Sequence, residues 1–231
     1  QPRASKWATM AVVASGVFMA TLDASIVNVS LPTFIDELDA PFVAVQWVVL
    51  GYLLVITGML LPAGRASEIL GRKRLFLWGF AVFTLGSLLA GFAGNVWMLV
   101  AFRIVQALGG AAMQAISPAL VLEVFPARER GRALGLVLSA VSLGLVAGPV
   151  VGGLILGTLG WPFIFFINVP VGVAGTLLGW RVLPDSEPTG RAAFDWYGTV
   201  ALVAGLALML LGLNGVQTFG LVSPFVLGAL G

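Results

Sequence analysis

The sequence predicts an all-α protein embedded in a membrane. Of its 231 residues, 59% are hydrophobic and only 10% are charged, against about 25% charged in an average soluble domain. That supply of polar side chains cannot cover a water-exposed body, and the mean hydropathy of +1.05 agrees. The apolar residues are also gathered into successive runs of the length that a bilayer-crossing helix needs, about 20 residues.

The runs fall at about 7–31, 44–63, 75–94, 96–122, 134–157, 162–183 and 196–214. Each is bounded by polar or charged residues or by a Gly/Pro break. An eighth run opens near Leu221 and is cut short at Gly231. As a helix its length is only about 16 Å, half of a bilayer, so the chain is expected to be a fragment or to have a remainder beyond Gly231. The first run is long and carries Asp23, so it is not expected to be a cleaved signal peptide. The layout is a six-span bundle over 1–183, a polar linker over 184–195 that includes Pro184-Asp185-Ser186-Glu187-Pro188-Thr189-Gly190, and a seventh span with a partial eighth over 196–231.

Charge placement orients the spans. Arg3 and Lys6 precede the first run; Arg65, Arg72, Lys73 and Arg74 separate the second and third. Arg128, Arg130 and Arg132 separate the fourth and fifth, and Arg181 and Arg191 flank the connection to the seventh. The alternate connections 32–43, 94–95 and 158–161 hold no lysine or arginine. Eleven of the twelve basic residues therefore lie on one side, which the positive-inside rule makes cytoplasmic, together with the N-terminus of a multi-pass protein of the cell membrane. Trp7, Trp78, Trp180 and Trp196 fall at the inner ends of the runs, and Trp47, Trp97 and Trp161 at the outer ends, where aromatic belts form.

Composition also excludes chemistries. There is no cysteine and no histidine. Disulfides, thiolate or imidazole metal sites, and Ser-His or Cys-His catalytic pairs are absent with them. No Gly-x-x-x-x-Gly-Lys-[Ser/Thr] segment occurs, which disfavours an ATP-driven pump. The net charge of +2 is too small to suggest nucleic acid. Neither an enzyme nor a metal or cofactor site is expected.

Two charges lie inside apolar runs. Asp23 is about eight residues before the outer end of the first run, and Arg103 about seven residues after the outer end of the fourth. At 1.5 Å per residue both sit roughly 10–12 Å below the outer surface. An ionised carboxylate at that depth must be paired, hydrated or protonated, so matching depth predicts a pair or a shared water-filled cavity. Asn28, Gln106, Gln114 and Asn168 are the other intramembrane polar residues; each suits an interhelical hydrogen bond or a contact to substrate in a cavity. Glu123 is expected at the inner end of the fourth span, solvated or paired near Arg128, Arg130 and Arg132. Gly144, Gly148 and Gly152 recur every four residues and form one small-residue face, with Pro149 able to kink the helix. That face can serve packing or gating.

Four segments carry a resemblance to a known family. Gly64-Arg65-Ala66-Ser67-Glu68-Ile69-Leu70-Gly71-Arg72-Lys73-Arg74, read as a tight turn, resembles the signature loop of the major facilitator superfamily, with Glu68 where aspartate is usual and Ile69 where a basic residue is usual. Leu22-Asp23-Ala24-Ser25-Ile26-Val27-Asn28-Val29-Ser30-Leu31-Pro32 resembles the first-span motif of its fourteen-span drug:proton antiporters. Arg103-Ile104-Val105-Gln106-Ala107 resembles the fourth-span motif, with Ala107 where glycine is usual. Gly144-Leu145-Val146-Ala147-Gly148-Pro149-Val150-Val151-Gly152-Gly153 resembles the fifth-span antiporter motif.

The resemblance implies an N-terminal bundle of six helices built as 3+3 inverted repeats, followed by a seventh span and part of an eighth. It implies proton-coupled efflux of hydrophobic or cationic drug-like compounds by alternating access, driven by the proton gradient. Asp23 would be the protonation site and Arg103 its charge partner. Gly64, Glu68, Gly71, Arg72 and Lys73 would form the conformational motif, and Gly144, Gly148, Pro149, Gly152 and Gly153 the antiporter face. The implied partners are membrane lipid, protons, a small-molecule substrate and a second six-span half in the same chain or another subunit. The same fold carrying a lipid, sugar or metabolite, and a half-size membrane scaffold, are the alternatives.

Overall fold

The computed structural model describes residues 5–186 and 196–219. Among them the secondary structure is helical: α1 (Lys6–Glu37), α2 (Phe42–Leu70), α3 (Arg72–Gly91), α4 (Val96–Val124), α5 (Arg130–Thr158), α6 (Phe163–Phe166), α7 (Asn168–Val182) and α8 (Trp196–Phe219), with a 3-10 turn at Ala127–Glu129. Among the described residues six helical units are long and apolar enough, by length and composition, to cross a membrane, the sixth being α6 and α7 together. Helix α8 covers the seventh apolar run. The eighth run, and linker residues 187–195, lie outside the described residues.

The helices overrun the apolar runs. Helix α1 has 32 residues and is about 48 Å long, against a hydrocarbon core of roughly 30 Å. Nothing in the polar ends stops the helix, so it continues into the headgroup layer. The expected outer connection 32–43 accordingly shrinks to the four residues between Glu37 and Phe42. The expected turn at 64–74 shrinks further, because α2 runs through to Leu70 and α3 starts at Arg72. Only Gly71 reverses the chain, with φ +91, a conformation that costs glycine little and other residues much. A side chain there would also strike the Ser186 carbonyl oxygen, 2.7 Å from an ideal Cβ.

The sixth span is interrupted at Ile167, three residues before Pro170. Proline has no N–H to offer the carbonyl one turn earlier. The missing donor falls at Phe166, where α6 ends.

Among the described residues the most extensive interhelical packing is α3 on α4, α1 on α5 and α2 on α4. Exchanging α1 with α4 and α2 with α5 maps the α1–α5 contact onto the α4–α2 contact, and both are extensive. This is the packing expected of two three-helix repeats related by a pseudo-two-fold axis. Helix α8 lies against α2, with Val203 filling the space beside Gly58.

Helix α5 approaches α1 through glycine. An ideal Cβ on Gly144 would lie 3.0 Å from both the Leu22 nitrogen and the Phe18 oxygen, and one on Gly148 would overlap Ser25. Gly152 is buried against Ile26. Gly153 departs from the expected face: it is exposed, with no atom within 4 Å of its Cβ position. One residue past Gly152 is about 100° around the helix, which carries it off the interface.

Pro149 lies inside α5 and leaves the Leu145 carbonyl without its helical donor. The Ser25 hydroxyl of α1 donates to that carbonyl at 2.8 Å. A residue on one helix thus completes the ladder of its neighbour.

The aromatic belts are only partly as expected. Trp7, Trp78, Trp97 and Trp180 are exposed, but Trp161 is buried. It packs edge-on against Phe34 at 5.6 Å between ring centroids and against Phe165 at 6.3 Å. The positive-φ Gly160 turns the chain inward there, so Trp161 closes the core at that end.

The cross-helix bond generates a stability prediction. Ser25→Ala is expected to lower stability by about 0.6 kcal/mol, at most about 1.7 kcal/mol. The loss should vanish in a Pro149→Ala background, where the Leu145 carbonyl regains a donor from its own helix. A double-mutant cycle on unfolding in detergent measures this, and equal losses in both backgrounds would remove the role assigned to Ser25.

Candidate functional site

Asp23 lies at mid-length on α1 and is 1% exposed. Its neighbours in space come from α4 and α7. One oxygen, Oδ1, accepts from Gln106 Nε2 at 2.9 Å and from Asn168 Nδ2 at 2.7 Å. The other, Oδ2, accepts from Arg103 Nη1, forming a buried ion pair. Both oxygens are occupied by donors, two of them neutral amides and one a guanidinium. This is the condition for a charge to persist in a low-dielectric interior.

Arg103 is 1% exposed, and it has further partners besides Asp23. Nη1 also donates to Gln106 Oε1 at 2.7 Å, and Nε reaches the Val48 carbonyl of α2 at 3.5 Å. The guanidinium carbon stands 3.8 Å from the centroid of the Tyr52 ring and 5.9 Å from that of Phe165, a cation–π geometry. Val48 and Tyr52 are one turn apart on α2, so one helix face supplies both contacts. Tyr52 in turn reaches the Ala20 carbonyl of α1 at 3.5 Å. Gln106 is three residues after Arg103, on the same face of α4, and its Nε2 also donates to Ser87 Oγ of α3 at 2.7 Å. Among the described residues, Thr9 Oγ1 is the one buried side-chain polar atom without a partner; it lies outside this cluster.

The spans thus meet at one charge: α1 brings Asp23, α2 Val48 and Tyr52, α3 Ser87, α4 Arg103 and Gln106, and α7 Asn168. Matching depth put Asp23 and Arg103 at the same level, and rotation of the helices makes them a direct packed pair rather than two walls of an open cavity. Gln106 and Asn168 lie in the cluster as ligands of Asp23. Asn28 is exposed on α1, and Gln114 is half-buried away from the cluster; neither joins it. Ser87 and Tyr52 have no counterpart in the sequence reading. A hydroxyl within an apolar run is a weak signal, because serine and threonine satisfy themselves on their own helix, as Ser87 also does by donating to Phe83 at 2.8 Å.

A second group of charges lies at the arginine-rich end. Arg72 pairs with Glu123 at 3.3 Å, linking α3 to α4, and the Ser186 hydroxyl lies 3.3 Å from the same carboxylate. Glu123 was expected beside Arg128, Arg130 and Arg132, but the paired cation is Arg72, because α3 packs on α4 along its length. Lys73 bonds Asp185 at 2.7 Å. Glu68 pairs with Arg65 three residues earlier on its own helix, and the Cβ position of Gly64 meets nothing within 4 Å. Of the five conformational-motif residues, Gly71, Arg72 and Lys73 contact other segments. Among the described residues no three acidic side chains converge as a metal site would require.

Comparison with known proteins gives a consistent result. The family model described as Major Facilitator Superfamily matches residues 13–195. The riboflavin transporter RibZ of Clostridioides difficile (strain 630) is 38% identical over 210 residues, covering 90% of this chain and 46% of that protein. The tetracenomycin C resistance and export protein of Streptomyces glaucescens is 36% identical over 219 residues, covering 94% of this chain and 41% of that protein. The chain therefore spans about half the length of the curated relatives it matches. Among solved structures, the POT family transporter PepTSo superposes with a TM-score of 0.70 at 14% identity, over 97% of this chain and 52% of that one, a likeness of fold.

Two predictions follow from the geometry. Arg103→Ala leaves a buried carboxylate without its counter-ion and should lower stability by about 3–5 kcal/mol. Adding Asp23→Asn should recover part of that loss, because the charge is then gone; denaturant unfolding of both variants tests this, and no recovery would show that the charge is not what Arg103 compensates. At the arginine-rich end, the Lys73 hydrogen bond holds the Asp185 carboxyl below the usual carboxylate range, helped by the charges of Lys73 and Arg74 and opposed by burial. A depressed folded-state pKa adds stability that is complete above the ordinary carboxyl pKa and is lost as pH falls through the lowered value. Lys73→Gln should therefore raise the Asp185 titration midpoint, read by carboxyl-carbon NMR.

Proposed function

The chain belongs to the major facilitator superfamily, and from that premise we propose that it takes part in proton-coupled export of hydrophobic or cationic drug-like compounds by alternating access. The observation that carries this reading is a fully liganded, buried Asp23 whose counter-ion has a second set of partners ready. The relative described as a resistance and export protein supports the direction of transport.

In the proposed cycle the conformation described is the ionised, dry state. A proton arriving on Asp23 Oδ2 makes a neutral carboxylic acid and ends the ion pair with Arg103. The guanidinium keeps its charge, and Gln106 Oε1, the Val48 carbonyl and the Tyr52 ring remain to hold it. Asp23 keeps Oδ1 as an acceptor for Gln106 and Asn168. Helix α1 is then no longer tied to α4 by charge, and the α1–α5 glycine face can shift. Loss of the proton to the other side restores the pair. A neutral acid and a compensated pair are the two states that tolerate a water-free interior.

The arginine-rich end is proposed to be cytoplasmic, with the protein in the cell membrane. A second bundle, in the same chain or another subunit, is proposed to form the facing wall of the pathway, since the chain spans about half of its relatives. A second reading of the cargo, a metabolite such as a flavin, is favoured by the likeness to a riboflavin transporter.

Transport by the intact protein in proteoliposomes with an imposed pH gradient tests the proposal. Wild type should export a cationic dye in proportion to the gradient, and Asp23→Asn should reduce this about a hundredfold or more, the lower end of what a proton-transfer group contributes. Arg103→Ala should lose the gradient dependence as well. Full gradient-driven export by both variants would sink the assignment, and export of riboflavin with no dye movement would select the second reading.

A further inference from the structure

We infer that the face between α3 and α7 at the arginine-rich end is a binding site for an anionic phospholipid, with Arg74 as the headgroup ligand. The inference is independent of the cargo and of proton coupling. Three consecutive basic residues open α3, and the structure divides their roles. Arg72 is engaged by Glu123, and Lys73 by Asp185. Arg74 is exposed and forms no ion pair among the described residues; the Asp185 carboxyl that feels its charge is already bonded to Lys73.

Arg74 stands at the head of a groove. The groove holds about 280 Å³ and is lined by Arg74, Leu77, Trp78, Ala81 and Thr176. Its floor is hydrocarbon, because the Thr176 hydroxyl is turned back onto the Gly172 carbonyl of its own helix at 2.8 Å. From Arg74 to Ala81 the groove descends about 10 Å along the helix. It is open to the surface, and its length of about 10 Å suits the upper part of a single acyl chain.

The headgroup level is marked on both helices. Trp78 is 66% exposed on α3 and Trp180 is 68% exposed on α7, one turn from Thr176 toward the arginine-rich end. Exposed tryptophans at helix ends belong to the interfacial layer. Arg181 follows Trp180 in the last turn of α7, and it too is exposed without an ion pair among the described residues. The N-terminal end of the α3 dipole adds positive potential beside Arg74. A phosphate at this level meets the Arg74 guanidinium and the start of α3, while its chain enters the groove beside Trp78. Basic pockets between membrane helices select anionic headgroups on these grounds.

A second groove shows why charge decides. It lies between α1 and α7, holds about 440 Å³ and is lined by residues such as Val12, Ser15, Val171 and Leu178, with no charged group. It can seat a hydrocarbon chain but offers nothing to distinguish one headgroup from another.

The test is native mass spectrometry of the purified protein after exchange into detergent with equimolar phosphatidylglycerol and phosphatidylcholine. Wild type should retain phosphatidylglycerol in preference to phosphatidylcholine. Arg74→Gln should reduce that retention about fivefold, the effect of one cationic contact near a membrane surface. Ala81→Trp, which fills the groove and leaves the charge, should reduce it too, and Arg65→Gln, at the same end but away from the groove, should leave it unchanged. Equal retention of the two lipids by wild type would overturn the site. So would wild-type retention in both groove variants, or a loss in Arg65→Gln matching that in Arg74→Gln.

Discussion

One carboxylate has to stay dry, and much of the bundle is arranged to let it. An ionised acid removed from water loses several kcal/mol of solvation even after local relaxation, and Asp23 is 1% exposed. Its compensation is drawn from α4 and α7 directly, and through Arg103 and Gln106 from α2 and α3. Several spans are therefore held in one mutual rotation by the hydrogen-bonding needs of a single ion. Such a pair adds little net stability over well-packed apolar residues. What it adds is a fixed set of partners for each of the two charges.

Helix α1 joins this cluster to the glycine-lined interface with α5. Two residues along a helix are about 200° apart, so Asp23 faces α4 and α7 while Ser25 faces α5. Helix α5 takes no part in the ion's coordination. It is held to α1 by glycines that allow backbone contact and by the Ser25 bond to the carbonyl that Pro149 leaves free. On the α5 side Gly144, Gly148 and Gly152 carry no side chain, so Thr21, Ser25 and Ile26 of α1 lie directly against the α5 backbone.

The arginine-rich end shows charge used in three ways within one turn of helix. Gly71 makes the reversal that places Arg72, Lys73 and Arg74 at the start of α3. Arg72 ties α3 to α4, Lys73 ties it to the segment after α7, and Arg74 is left facing outward. Exposed pairs of this kind contribute roughly 0–1 kcal/mol each, so they bias the position of helix ends more than they hold the fold.

Hydrophobic length and charge placement are one-dimensional quantities, and they were legible. The spans, their alternation and the common depth of Asp23 and Arg103 all follow from counting along the chain, because rise per residue and bilayer thickness are constants. The gly-x-x-x-gly spacing on α5 also showed which helix face would lie close to another backbone. Which helix that would be, and how far each was rotated, could not be counted. Ser87 and Tyr52 reach the cluster, and Asn28, Gln114 and Gly153 do not, because azimuth is set by packing every helix against its neighbours at once. The sequence by itself determined a membrane bundle with an acid and a base buried at one level. Only the tertiary structure decided that they touch, that amides from two helices complete the acid, and that Arg72 rather than a nearer arginine holds Glu123. The reason is physical: depth is a property of one helix, whereas contact is a property of several.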